Sequence, residues 1–98
     1  MSTADIFSVA PRVIDVRTAE EFVGGHVQEA INLDVESGAF QAQLSSLDKS
    51  VGYALYCRSG RRSAIAAELM ATAGFTEVRD LGALESAAQS LGLPIITE

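Results

Sequence analysis

Short apolar runs rich in β-branched residues alternate along this chain with segments whose apolar residues recur at helical spacing. The runs predict strands over residues 13–17, 30–33, 53–56 and 78–81. The segments between them predict four helices: a short one after Thr18, an amphipathic one, one over residues 62–73, and a last one from Leu84 to Leu91. The amphipathic helix bears Phe40, Leu44 and Leu47 at helical spacing. The helix over residues 62–73 is expected to bury Ile65, Leu69 and Met70. This alternation indicates βαβ units. It predicts an α/β fold with a central, mostly parallel sheet of four to five strands and helices on both faces.

Local signals predict where the helices begin and end. Thr18, with Glu21 three residues later, has the spacing of a capping box. The pair Gly24-Gly25 is expected to end the first helix in the left-handed conformation, and Gly74 is expected to do the same for the third. Only a short segment precedes the first predicted strand. We therefore expect no additional full strand there, and we expect the tail near Ile95-Ile96 to cover that edge of the sheet.

Length and charge limit the classes of function. The chain has 98 residues, which predicts one domain over 1–98. Its formal net charge is −6, and three of its seven Lys and Arg residues, Arg58, Arg61 and Arg62, lie within six residues of Cys57. A general nucleic-acid binder needs a basic face, which this composition argues against. A positive loop on an acidic body instead predicts a small anionic ligand at that loop.

The remaining composition predicts neither a disulfide, nor a resident metal, nor a membrane anchor. The only cysteine is Cys57 and the only histidine is His26, so neither an intrachain disulfide nor a structural zinc site is expected. No apolar run approaches the length of a membrane span, and residues 1–5 do not resemble a signal peptide. The expectation is a cytoplasmic protein with no metal or organic cofactor.

Cys57 has the setting of a reactive thiol. It follows a buried strand, begins a loop holding three arginines, and precedes an Ala-rich helix. Converging loop amides, a helix N-terminus and nearby cations each favour a thiolate over a thiol. Gly60 allows the backbone conformation that such a loop needs, and Ser59 and Ser63 are small residues able to cap the helix. An inert buried cysteine is the alternative, which the loop context disfavours.

Three motifs together resemble the rhodanese family. The first is Val13-Ile14-Asp15-Val16-Arg17-Thr18-Ala19-Glu20-Glu21-Phe22, the second is Gly25-His26-Val27 with Ala30-Ile31-Asn32, and the third is Leu55-Tyr56-Cys57-Arg58-Ser59-Gly60-Arg61-Arg62-Ser63. Their order makes the resemblance specific. The chain departs from the family pattern where Gln28-Glu29 replaces a Pro-Gly pair and where Gly82-Ala83 replaces a Gly-Gly pair.

The resemblance implies a thiosulfate sulfurtransferase with a rhodanese-like fold. Cys57 would take the sulfane sulfur of thiosulfate or another persulfide donor and become a persulfide. The substrate-binding loop would comprise Arg58, Ser59, Gly60, Arg61, Arg62 and Ser63. Its amides would hold the terminal sulfur, while Arg58 and Arg61 would attract the small anionic donor. The acceptor would be cyanide, a small thiol or a protein thiol.

Two alternatives remain open at this point. One is a sulfur-carrying or regulatory module that docks on a partner protein and turns thiosulfate over slowly. The other is phosphatase or arsenate reductase chemistry. Cysteine phosphatases resemble this loop but place an arginine six positions after the nucleophile, where this chain has Ser63. The shorter loop ending at Arg62 resembles the sulfurtransferase type.

Four further polar residues near the predicted site are interpreted structurally. Asp15 and Arg17, at a strand end, are expected to support the site through an ion pair or a loop anchor. Arg62 is expected to pair with Asp15 or Glu21. His26 is expected to fix a turn by hydrogen bonding.

Overall fold

A computed structural model of the protein describes residues 10–97. In chain order its elements are β1 (Arg12–Asp15), α1 (Ala19–Val23), β2 (His26–Val27), β3 (Ile31–Asn32), α2 (Ala39–Gln43), β4 (Tyr53–Cys57), α3 (Arg61–Thr72), β5 (Val78–Ala83), α4 (Leu84–Leu91) and β6 (Ile95–Ile96). The central sheet has the order β3–β1–β4–β5, and all its pairings are parallel. The predicted α/β fold is confirmed.

Strand β4 lies between β1 and β5 in the sheet, and helices cover its side chains on both faces. Its five residues, Tyr53 to Cys57, are all buried. Tyr53, Leu55 and Cys57 face one core, where Phe40 of α2 and Met70 of α3 pack. Tyr56 faces the other core, with Ala87 of α4. Two cores on opposite faces of one parallel sheet explain the uninterrupted apolar run in this part of the sequence.

The predicted helix caps at Thr18 and Gly74 are confirmed. The Thr18 hydroxyl accepts the Glu21 amide at 3.2 Å, and the Glu21 carboxylate accepts the Thr18 amide at 3.1 Å. At the end of α3, Gly74 has a φ of +101°. The Phe75 amide then donates to the Met70 carbonyl at 3.1 Å, which is the hydrogen bond of a Schellman motif.

The structure corrects three local predictions. Of the predicted Gly24-Gly25 helix end, Gly24 is right-handed, with φ −72° and ψ −11°, and only Gly25 has a positive φ, at +156°. Ile65 is 51% exposed rather than buried, because Ser63, Ala66 and Met70 form the inward face of α3 and a one-residue step rotates a side chain by roughly 100°. The predicted helix over Phe40, Leu44 and Leu47 is α2 followed by a 3-10 turn, Leu44–Ser46.

The tail does not cover the edge of the central sheet. Strand β6 pairs antiparallel with β2 in a separate two-stranded sheet, with Val27 opposite Ile95. The prediction for this tail is therefore wrong, because its partner is the short strand after α1. The sequence also predicts that no full strand precedes β1. That prediction concerns mainly residues 1–9, which lie outside the described part of the chain.

Strand β5 is longer than predicted because its end pairs with the end of β4. Leu55 lies opposite Asp80 and Cys57 lies opposite Ala83, so β5 uses one extra residue between these two pairings. Gly82 takes a φ of +78° at this irregularity, and its amide donates to the Asp80 carboxylate at 3.0 Å. The bulge brings the end of β5 against the segment that follows Cys57.

Candidate active site

Cys57 is the last residue of β4 and lies at the carboxyl edge of the sheet. A three-residue turn, Arg58 to Gly60, connects it to α3. Gly60 is the N-cap of α3 and has a φ of +99°, a conformation that favours glycine. A β-carbon added at Gly60 would lie 3.5 Å from the Gly82 Cα, so the turn also packs closely on β5.

Hydrogen-bonding groups converge on the Cys57 sulfur. The Gly60 amide donates to Sγ at 2.9 Å, and the Ser63 Oγ lies 3.5 Å from it. Burial raises the pKa of the Cys57 thiol, but the Ser63 hydroxyl and the amides of Ser63, Gly60 and Ser59 together lower the pKa by more. The pKa of the thiol therefore lies below its ordinary value. Such a sulfur ionises more readily and is a better nucleophile near neutral pH than an isolated cysteine.

The three arginines of the loop point in different directions. Arg62 donates to both oxygens of Glu21, at 2.7 and 3.0 Å, and to Glu36 at 3.3 Å. Arg58 and Arg61 are exposed, and within residues 10–97 no ion pair holds either one. Arg62 therefore ties the start of α3 to α1, while the other two guanidinium groups remain available to an anion.

Arg58 and Arg61 line two different grooves beside the loop. Arg58 lies with Arg17 and Leu84 in a groove of about 370 Å³, which also contains Glu20, Glu21 and Glu85. Arg61 lies with Ser59 and Ile65 in a groove of about 520 Å³. The Cys57 loop therefore has an arginine on each side of its outer surface.

Asp15 and Arg17 form a buried ion pair at the end of β1. Arg17 donates to both carboxylate oxygens of Asp15, with a shortest distance of 2.7 Å, and also to the Gly25 carbonyl. The Asn32 side chain donates to the carbonyls of both residues. This network shapes the wall of the groove that contains Arg58, and its support of the site stays a prediction.

Two ring side chains stabilise the segment beside this wall. His26 Nδ1 lies 2.8 Å from the Phe22 carbonyl, and the His26 and Phe22 rings stack with their centroids 3.7 Å apart. This is the turn-fixing arrangement that the sequence predicted. The Tyr56 hydroxyl accepts the Val27 amide at 3.0 Å, a contact that sequence reasoning missed. Burial, together with Asp15, raises the pKa of Tyr56 above its ordinary value, so the phenol stays neutral.

Sequence reasoning also missed Asp80. Its carboxylate accepts the Ser63 hydroxyl at 2.6 Å, and Ser63 in turn contacts the Cys57 sulfur. The available signal was the position of Asp80 near the carboxyl end of a predicted strand, because the ends of adjacent parallel strands meet at one edge of the sheet.

The chain matches known proteins over most of its length. The sequence model of the rhodanese-like domain matches residues 4–86. The chain is 33% identical over 92 residues to thiosulfate sulfurtransferase PspE of Escherichia coli, covering 90% of this chain and 88% of that protein. It is 38% identical over 100 residues to the chloroplastic thiosulfate sulfurtransferase 16 of Arabidopsis thaliana, covering 92% and 83% respectively.

Solved structures show the same fold. A rhodanese with anions from Escherichia coli superposes with a TM-score of 0.75 at 30% identity, covering 91% of this chain and all of that one. The Rhodanese_3-like domain of the Alr3790 protein from Anabaena superposes with a TM-score of 0.76, also at 30% identity, covering 91% and 94%. This chain belongs to the rhodanese-like domain family. That assignment confirms the resemblance of the three sequence motifs.

The helices and the side chains of the described residues also bear on membranes and metals. Among the helices of residues 10–97, none combines the length and the apolar character that crossing a membrane requires. The same residues contain no group of three or more His, Cys, Asp or Glu side chains able to hold a metal ion. The cytoplasmic location expected from the sequence stays a prediction.

The Glu21–Arg62 pair provides a pH-dependent test of how α3 is attached. The Arg62 guanidinium is the main cause that lowers the pKa of Glu21 from 4.5 to about 2. Glu21→Gln removes the charge but keeps a side chain suited to the capping box. We expect it to lower the free energy of unfolding by about 1 kcal/mol at pH 7, a modest value because the pair is partly exposed to solvent.

The loss should depend on pH in one direction. A carboxylate whose pKa is depressed by folding stabilises the protein above its unfolded pKa, and this contribution is lost as pH falls toward the folded pKa. The difference between wild type and Glu21→Gln in urea unfolding should therefore shrink as pH falls below about 4.5. Glu20→Gln, at an exposed position in the same helical turn, is the matched control and should have little effect. An equal difference at pH 7 and at pH 3 would contradict this account.

Proposed function

We propose that this protein is a thiosulfate sulfurtransferase that works through a persulfide on Cys57. The observation that carries the proposal is the sulfur at the end of β4, which accepts the Gly60 amide at 2.9 Å and has a lowered pKa. Two relatives named as thiosulfate sulfurtransferases, at 33% and 38% identity, support the same chemistry.

The proposed reaction is a double displacement. The Cys57 thiolate attacks the outer, sulfane sulfur of thiosulfate, the bond between the two sulfur atoms breaks, and sulfite leaves with the bonding electrons. The negative charge then lies on the terminal sulfur of the Cys57 persulfide. An acceptor such as cyanide or a thiolate attacks that sulfur, and Cys57 leaves as a thiolate. The charges balance at each step, so the cycle needs no oxidant or reductant.

The loop amides are suited to stabilise both anions of the cycle, the Cys57 thiolate and the Cys57 persulfide. They stabilise an anion at Sγ before the first step, and the same turn would hold the terminal sulfur after it. This role would extend over the residues Arg58, Ser59, Gly60, Arg61, Arg62 and Ser63. In this proposal residues 1–98 act as one domain without a metal or organic cofactor.

The arginines would divide two tasks. Arg62 is held by Glu21 and Glu36, so its role is to fix the start of α3. Arg58 and Arg61 are exposed on either side of the loop and would attract the divalent thiosulfate anion. The remainder of the chain carries an excess of acidic residues, which would repel anions elsewhere on the surface.

The persulfide is tested by intact mass. Incubation of the wild-type protein with thiosulfate should add the mass of one sulfur atom, and a reductant should remove it. Cys57→Ser should show no gain under the same conditions. A wild-type protein that gains nothing would exclude the proposed enzyme. Loading with no steady-state turnover of thiosulfate and cyanide would instead indicate a sulfur-carrying module that delivers to a partner.

The roles of the exposed arginines are tested by steady-state kinetics. Arg58→Ala and Arg61→Ala should each raise KM for thiosulfate roughly fivefold, as expected for the loss of one exposed charged contact of about 1 kcal/mol, with a smaller change in kcat. Arg79→Ala is the matched control, because Arg79 is exposed on β5 but pairs in register with Ala54, away from the loop. An equal effect of all three substitutions would show that only overall charge matters and would contradict the assigned roles.

A further inference from the structure

The hydroxyl of Ser63 lies among three groups that could accept its single proton. The Asp80 Oδ1 lies 2.6 Å from Ser63 Oγ, the Gly60 carbonyl oxygen 3.2 Å, and the Cys57 sulfur 3.5 Å. A serine hydroxyl donates one hydrogen bond and accepts others through its lone pairs. Since the three groups compete, the direction of this proton decides what Ser63 does for the sulfur.

Of the three groups, the Asp80 carboxylate is the strongest acceptor for the Ser63 hydroxyl. A carboxylate accepts hydrogen bonds only, and a hydroxyl-to-carboxylate bond of 2.6 Å has the length of a charge-assisted interaction. When the Ser63 proton points to Asp80, an oxygen lone pair faces Sγ. That lone pair can accept a hydrogen bond from the Cys57 thiol, but it cannot donate one to the thiolate.

We propose that Asp80 is a positioning residue that sets the direction of the Ser63 hydroxyl and, through it, the ionisation of Cys57. With the carboxylate present, Asp80 competes with the sulfur for the Ser63 proton, so the hydrogen bond from the hydroxyl to the thiolate is weakened and the loop amides hold more of the charge. Without that charge, the hydroxyl turns to the sulfur and stabilises the thiolate further. This inference rests on the proposed function, in which Cys57 is the nucleophile.

The contribution of Asp80 to the proposed reaction follows from thiol chemistry. A thiolate becomes a weaker nucleophile as its pKa falls, so stabilising it beyond the need for ionisation slows its attack. By weakening one hydrogen bond to the thiolate, Asp80 keeps the sulfur ionisable but reactive. Asp80 does not touch the sulfur, and it acts only through Ser63.

Several other charged side chains lie near the Cys57 sulfur, and most of them are paired with one another. Arg62 of α3 is close enough to Cys57 for the two charges to interact, but it is already paired with Glu21 and Glu36. Asp15, the last residue of β1, and Arg17, two residues later, neutralise one another. Arg58 lies in the turn after Cys57 and Arg61 is the first residue of α3, and both are exposed. Asp80 is the charged residue on β5 that is connected to Cys57 through a hydrogen-bonded side chain.

The test is the pH dependence of Cys57 alkylation by iodoacetamide in Asp80→Asn. The asparagine keeps an oxygen for the Gly82 amide, so the bulge of β5 retains its hydrogen bond. Its neutral oxygen is a weaker hydrogen-bond acceptor than the carboxylate. The Ser63 hydroxyl should therefore donate to the thiolate instead. We expect the midpoint of the alkylation profile to fall by about one pH unit, which is a tenfold change in the ionisation constant. An unchanged or higher midpoint would overturn the proposal.

A double-substitution cycle separates the hydroxyl from simple charge repulsion. In a Ser63→Ala background, Asp80→Asn should shift the midpoint by less than about a third of a unit, because no hydroxyl remains to be redirected. The same shift with and without Ser63 would mean that Asp80 acts through its charge at a distance, and the proposal would fail. Asp48→Asn, which removes an exposed carboxylate outside the loop, controls for net charge and should shift nothing.

A second readout applies if Ser63→Ala does not fold. Asp80 is exposed, so a through-space effect on the thiol should weaken strongly between low and high salt. A redirected hydrogen bond should give the same shift at both salt concentrations, and a shift that disappears at high salt would contradict it. Alkylation needs no sulfur donor. Its result is therefore separate from that of thiosulfate loading, and failure of one experiment would not be mistaken for failure of the other.

Discussion

A sulfur anion inside a protein is stable only where N–H or O–H groups point at it, and the architecture around Cys57 meets that requirement with backbone. Strand β4 is buried on both faces and carries its last side chain to the edge of the sheet. The chain then turns through Gly60, whose φ of +99° lets its amide point back at the sulfur 2.9 Å away. The sheet, the turn and the start of α3 all contribute to this one contact.

The polar residues around this contact have separate tasks. Glu21 takes part in the capping box of α1 and also holds Arg62, so a single carboxylate connects the first helix to the start of α3. Asp15 and Arg17 stabilise the end of β1 next to the same region. With these charges paired internally, Arg58 and Arg61 remain exposed at the surface of the loop. The division explains why three arginines within five residues need not do the same thing.

Local patterns predicted the parts of the structure that depend on local interactions. The Thr18–Glu21 cap, the Gly74 helix end and the buried strand before Cys57 follow from spacing and residue type, and all three were found. The contact between Ser63 and Asp80 was not predicted, because it joins residues seventeen positions apart and depends on an irregular pairing of β4 with β5. The exposure of Ile65 was missed for a related reason, since the face that α3 buries is decided by packing on the sheet rather than by its apolar residues alone.

The most direct test of the central claim is a pH titration of the Gly60 amide by nuclear magnetic resonance. If that amide donates to a sulfur anion, its chemical shift should change with the ionisation of Cys57, with a midpoint below the value of about 8.5 for a free cysteine. The change should disappear in Cys57→Ser. A Gly60 amide that does not respond to the titration of the thiol, or that responds at or above the ordinary value, would contradict the account.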